Sequence, residues 1–177
     1  MKDELILLVK EIATAAEKSF LSLFENKESY YYCVLITTGE ALPPFISAWS
    51  REALEVFRKE TSDEDADLLK WFYGDSPYFN FGEENFEIVR ELFYVRKLDL
   101  DDEIEYFKEI DFRIEAMVLA MELLDKKGIF SLNQPRDKVY INVEVVPPDS
   151  SNTIRALRLN KKEDISDWLN EVTEDDL

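Results

Sequence analysis

Apolar residues recur along this chain first with helical and then with strand spacing. Leu5, Leu8, Val9, Ile12, Ala16, Phe20, Leu23 and Phe24 step mainly by three and four, which puts them on one helix face, with Lys10, Glu17 and Lys18 off that stripe. Residues 29–38 are rich in Tyr, Val, Ile and Thr, and their nearly continuous apolar character predicts a central strand that ends at Gly39. Pro43 and Pro44 predict an extended connection to a second strand over 45–49. Ser50 then suits the N-cap of a helix through Lys59 with Ala53, Leu54 and Phe57 inward, and Ser62 suits the cap of another beginning near Asp63. The run 68–73 fits helix and strand equally, and the Gly-Asp-Ser-Pro of 74–77 marks a turn.

Further on, 83–98 predicts a helix with Phe86, Val89, Leu92 and Phe93 inward. The strongest helical pattern follows, in which Phe107, Ile110, Ile114, Met117, Val118, Met121 and Leu124 share one face. Asp101, Asp102 and Glu103 stand at its start, where the helix dipole favours anions; Lys126, Lys127 and Gly128 stand at its end. Residues 138–146 predict a strand closed by Pro147, Pro148 and Asp149, and 153–159 predict a further strand. A closing helix over 164–172 turns Ile165, Trp168 and Leu169 inward, and an acidic tail from about 173, with Glu174, Asp175 and Asp176, frays. Helices and strands mix with too few βαβ repeats for a doubly wound sheet. The expectation is a single α+β domain over residues 1–177, a small mixed or antiparallel sheet covered by helices.

Composition narrows the chemistry. A chain of 177 residues with 46% hydrophobic content can bury a full core without disulfide or metal support. Its single cysteine, Cys33, lies in the apolar run 30–36 and reads as a buried small hydrophobe. There is no histidine, which removes Ser-His-Asp and Cys-His hydrolysis, histidine-based zinc sites and a histidine base. The formal charge of −18 repels phosphate backbones and anionic membranes, so neither nucleic acid nor a membrane is an expected partner, whereas a basic protein is. The opening Met-Lys-Asp-Glu does not suit a secretory leader, and no apolar stretch approaches membrane-spanning length, so the expected location is cytoplasmic.

Three clusters are candidates for function. Asp63, Asp65 and Asp67 alternate like the start of a calcium loop, but Leu68 stands where that loop needs glycine and Gly74 where it needs glutamate, so a capped helix start is the better reading. Asp99, Asp101, Asp102, Glu103 and Glu105 form the densest acidic cluster. Neighbouring acids at a helix start diverge into water, which argues for dipole compensation or a protein-docking patch and against a metal site. Around the turn after residue 70, Trp71, Tyr73, Asp75 and Tyr78 form an aromatic recognition loop, with Tyr73 and Asp75 a conceivable acid-base pair; the plainer alternative is a loop pinned to the core by its aromatics. No nucleophile, Gly-rich phosphate cradle or cofactor motif accompanies them, so no cofactor is expected and catalysis is disfavoured. Arg136 after Pro135 reads as a brace for a turn.

Several of these pieces, in order, carry a resemblance. They are Thr37-Thr38-Gly39-Glu40, Ala48-Trp49-Ser50, the Trp-Phe-Tyr-Gly-Asp-Ser-Pro-Tyr of 71–78, Leu123-Leu124-Asp125 leading to Gly128-Ile129-Phe130, and then Arg136 and Asn142. Across about 30–160 the chain resembles a bacterial family of unknown function, the DUF4303 family. The resemblance implies a bacterial cytoplasmic domain and carries over no functional residue. Small acidic bacterial domains in general often serve as immunity proteins against toxins, and the analogy of size, charge and setting extends that expectation to this chain. Two expectations result. The first is a non-catalytic acidic module that binds a basic protein, with an immunity role against a basic toxin as one form. The alternative is a small-molecule-binding domain or enzyme that uses carboxylates and the aromatic segment 71–78.

Overall fold

The computed structural model describes residues 2–172. The acidic tail expected from about 173 lies outside the described residues. In chain order the elements are α1 (Lys2–Phe24), β1 (Tyr30–Thr38), β2 (Phe45–Ser50), α2 (Arg51–Glu60), α3 (Asp63–Leu69), α4 (Glu87–Val95), α5 (Glu103–Lys126), β3 (Tyr140–Val146), α6 (Ser150–Leu159) and α7 (Ser166–Val172). The strands form a mixed sheet in the order β2-β1-β3, antiparallel between β1 and β2 and parallel between β1 and β3. This is an α+β fold, as the sequence pattern predicts.

Strand side chains alternate between the two faces, so register assigns each residue to one of two cores. Cys33 and Leu35 face Ala48 and Ile46 on β2 and Ile141 and Val143 on β3. Together they pack on α1 and α5 through Ile12, Ala16, Phe20, Met117 and Met121. The opposite face presents Tyr32, Val34, Ile36, Trp49 and Tyr140 to Ala156, Ile165 and Trp168. β1 is thus covered on both faces, which explains its unbroken apolar run. A bulge at its start leaves Tyr31 without a partner on β2 and turns both Tyr31 and Tyr32 to the second face, while Tyr30 stays in the helix core.

The strand expected over 153–159 is instead α6. Asp149 caps it by accepting the Ser151 N–H, and Asn152, Arg155, Ala156 and Leu159 are buried at helical spacing. Those side chains close the open edge of β3 in place of a fourth strand. The Asn152 amide exchanges hydrogen bonds with both backbone groups of Val145, and Asn160, just beyond α6, does the same with Ile141. Arg155 Nε donates to the Val143 carbonyl at 2.7 Å. An edge strand covered in this way offers no free ladder to another chain.

The caps expected at Ser50 and Ser62 are present, and Asp102, expected as an acid favoured by the helix dipole, is itself a cap. Ser50 starts α2, Ser62 starts α3 through the Asp65 N–H, and Asp102 starts α5. The segment Asp63, Asp65, Asp67 is therefore a helix start. The helix expected over 83–98 is a 3₁₀ turn (Glu83–Phe86) followed by α4, and it ends at Val95. Phe107, placed inward by its spacing, is 54% exposed, because the buried face of α5 runs through Arg113, Met117, Ala120 and Leu124 and Phe107 lies to one side of it. Arg113 lies buried in the same helix, bound to Glu109 and to the carbonyls of Ala41, Phe93 and Arg96. Arg136 braces its turn as expected, donating to Asp125, Val139, Leu159 and Asn160. Among the described residues no helix is long and apolar enough to cross a membrane.

Candidate functional site

On the second face of the sheet, β3 carries Tyr140, Asn142 and Glu144 in alternate positions. Tyr140 sits beside Tyr32 of β1, and their rings stack at 5.6 Å, only 7° from parallel. Both hydroxyls reach the same carboxylate: Tyr32 Oη donates to Glu144 Oε2 at 2.7 Å and Tyr140 Oη to Glu144 Oε1 at 3.0 Å. Asn142 Nδ2 donates in turn to Tyr140 Oη at 2.7 Å, which orients that hydroxyl toward Glu144. Trp168 of α7 stacks on Tyr140 at 4.6 Å, and Trp71 meets it edge-on at 6.1 Å.

Glu144 opens onto a cavity of about 470 Å³. One wall is Trp71, Phe72 and Tyr73; Trp168 adds a fourth ring, and Val146, Pro148, Asp149 and Asn152 complete the side nearest α6. Burial pushes the Glu144 carboxyl up to about 7, outweighing the two tyrosine hydrogen bonds and the Arg155 charge, all of which favour its ionised form. Burial also holds the Tyr32 and Tyr140 hydroxyls well above their usual range, so both remain protonated donors. Arg155 is pulled below its ordinary value by burial. Its guanidinium is engaged by Val143, Ser151 and Asn152.

The aromatic segment divides between two places. Trp71 and Tyr73 line the cavity, whereas Asp75 and Tyr78 do not. The segment is pinned to the sheet: Trp49 Nε1 donates to the Phe72 carbonyl at 2.9 Å, Ser47 Oγ to the Tyr73 carbonyl at 2.9 Å, and Ser76 Oγ to the Ala48 carbonyl. The Trp71 indole is fixed by Glu171 of α7 at 2.7 Å, which leaves its ring to the cavity. Asp75 is exposed in a 3₁₀ turn (Tyr73–Asp75). Tyr78 turns toward Tyr30, donates to Glu28 and has its hydroxyl raised to about 12 by burial. The expected site list held none of Tyr32, Tyr140, Glu144, Asp149, Asn152 and Trp168. The available signal was Glu144 itself, the one charged residue in a mostly apolar strand.

The acidic residues 99–105 form a separate surface. Asp99 Oδ1 accepts the backbone N–H groups of Asp101 and Asp102, and Asp102 Oδ1 accepts those of Ile104 and Glu105. Glu105 pairs with Lys108 at 2.7 Å, and Glu103 lies in the first turn of α5. All five acids are exposed, and Tyr94, Val95, Leu100, Ile104 and Phe107 are exposed within the same stretch of chain. Among the described residues no group of three or more carboxylate or cysteine side chains is placed to hold a metal ion. Cys33 is fully buried, and its thiol is raised well above its usual range by that burial.

A family model described as a domain of unknown function, DUF4303, matches residues 9–161. No curated protein and no solved structure matches the chain.

Proposed function

The chain belongs to the DUF4303 family, a domain of unknown function, and from its geometry we propose that it is a ligand-binding domain whose site is the cavity beside Glu144. The observation that carries this reading is a single one. A largely buried carboxylate, held by two buried tyrosine hydroxyls, opens onto a cavity walled by Trp71, Tyr73 and Trp168. Small-molecule sites occupy roughly 300–1,000 Å³, are mostly apolar, and carry a few converging polar groups. Glu144, Asp149 and Asn152 supply such groups here. Desolvating a carboxylate is costly, so a protein that keeps one at an aromatic cavity gains from a ligand that satisfies it. The test is a thermal-shift screen of small polar and charged metabolites against the wild-type chain and Trp71→Ala. Compounds that raise the melting temperature of the wild type but not of the variant support the site. A screen whose hits stabilise both proteins equally counts against it.

A second reading rests on the surface of residues 94–107. Exposed Tyr94, Val95, Leu100, Ile104 and Phe107 lie among Asp99, Asp101, Asp102, Glu103 and Glu105, and the whole chain carries −18. Apolar contacts bordered by acids, on a strongly negative chain, suit a basic protein partner, and an immunity role against a basic toxin in a bacterial cytoplasm is one form of it. Association with such a partner would slow as salt rises, and Leu100→Asp would weaken it. Binding indifferent to both changes would refute the reading.

A further inference from the structure

We infer that the cavity takes an organic cation, an ammonium group placed against Glu144 with its carbon substituents against Trp71, Tyr73 and Trp168; this rests on the reading of the cavity as a ligand site. The charge of the lining points this way. Glu144 and Asp149 both line the cavity, and among the described residues no lysine or arginine does. Two cationic groups that adjoin lining residues in sequence or contact are already committed. Arg155 spends its guanidinium on Val143, Ser151 and Asn152, and Lys70 is held by Glu171 at 2.8 Å.

Other ligand classes fit less well. The N-terminus of α6 meets the cavity at Ser150 and would ordinarily attract an anion. Asp149 already fills that role, accepting the Ser151 N–H at 2.9 Å, so an incoming anion would face two carboxylates instead. A neutral apolar ligand would desolvate Glu144 further and add nothing to the Arg155 charge that favours its ionised form. A cation supplies further positive charge, and the aromatic lining of Trp71, Phe72, Tyr73 and Trp168 adds cation–π attraction once water is excluded.

Protonation is coupled to such binding. The groups that act on Glu144 are Tyr32 from β1, Tyr140 from β3 and Arg155 from α6, and Asp149 shares the cavity. With the Glu144 carboxyl raised to about 7 by burial, a bound cation favours its ionised form. Binding below that pH therefore releases a proton, and affinity rises as the pH rises toward it.

The experiment measures tryptophan fluorescence and calorimetric titration with four small probes of similar size: choline, n-butylammonium, the neutral 3,3-dimethylbutan-1-ol and butyrate. A capped lysine amide serves as a fifth, to separate a free ammonium compound from a protein side chain. The expected result is binding of choline or n-butylammonium at least about tenfold tighter than the neutral alcohol, no binding of butyrate, and proton release at mildly acidic pH. Glu144→Gln abolishes the preference for the cation and leaves the alcohol unchanged, whereas Trp71→Ala weakens both. Saturation by the lysine amide alone keeps the charge class and assigns the cation to a protein partner. Equal binding of choline and the alcohol, or preference for butyrate, overturns the cation assignment and leaves the ligand site standing. If no probe binds and the metabolite screen is also empty, both readings fall. The comparison of choline with the alcohol needs only the wild-type protein, so a variant that fails to fold does not spoil the test.

Discussion

Replacing Glu144 with glutamine should change the pH dependence of stability in a direction the structure specifies. The Glu144 carboxyl is raised from an ordinary 4.5 to about 7 by burial. The folded state therefore binds this proton more tightly than the unfolded chain does. Stability from that preference is fully present below about pH 4.5 and declines as pH rises, and it is gone above about pH 7. Each tenfold difference in proton affinity between the folded and unfolded chains is worth about 1.4 kcal/mol, so moving from about pH 5 to about pH 8 removes roughly 2–3 kcal/mol from the wild type. Glu144→Gln has no such proton. Its amide oxygen still accepts from one of the two tyrosines, so any constant offset appears equally at both pH values. Urea denaturation of both proteins at the two pH values gives the difference of differences. The variant should gain roughly 2–3 kcal/mol relative to the wild type on the alkaline side. Parallel pH profiles would refute the reasoning, because they would mean that Glu144 titrates alike in folded and unfolded chains. The cavity would then be as wet as the protein surface.

Three further outcomes test the framework around the site. Asn160→Ala leaves the N–H and carbonyl of Ile141 without partners at the β3 edge and should cost about 2–5 kcal/mol in chemical denaturation. Glu109 accepts from both Arg96 and Arg113, so Glu109→Gln sets two guanidinium groups together without their carboxylate and should destabilise by about 3 kcal/mol, less at high salt. Gly82 holds φ +68°, and an added Cβ would meet Ser19 Oγ at 2.5 Å, so Gly82→Ala should lower stability by roughly 1–3 kcal/mol. An unchanged melting temperature in any of the three would show that the corresponding contact does not hold the fold.

Sequence reading succeeds here wherever the cause is local. Ser50, Ser62 and Asp102 cap helices through backbone groups two or three residues away, and the stripes of α1 and α5 follow from 3.6-residue periodicity. The same reasoning failed at 153–159, read as a strand although Arg155, Ala156, Leu157, Arg158 and Leu159 all favour a helix. The Asp149 cap and the bonds from Asn152 and Arg155 to β3 favour a helix there, and the β3 contacts exist only once the sheet has formed. It failed again at Phe107, which lies well off the α5 face that buries Arg113, Met117, Ala120 and Leu124, whereas Tyr106 beside it falls in line with that face.

The chain by itself determined most of its element types, the acidic surface, the lack of histidine chemistry and the aromatic character of the segment after residue 70. Only the tertiary structure decided that β3 lies parallel beside β1, so that Tyr32 meets Glu144 across 112 positions of sequence. Only it decided that Trp71 and Tyr73 turn toward that carboxylate while Tyr78 turns away. The physical reason is range. Caps and periodicity act over a few residues and leave a mark in the sequence, whereas a cavity is the space left when distant elements pack, and its lining depends on the packing of the whole chain.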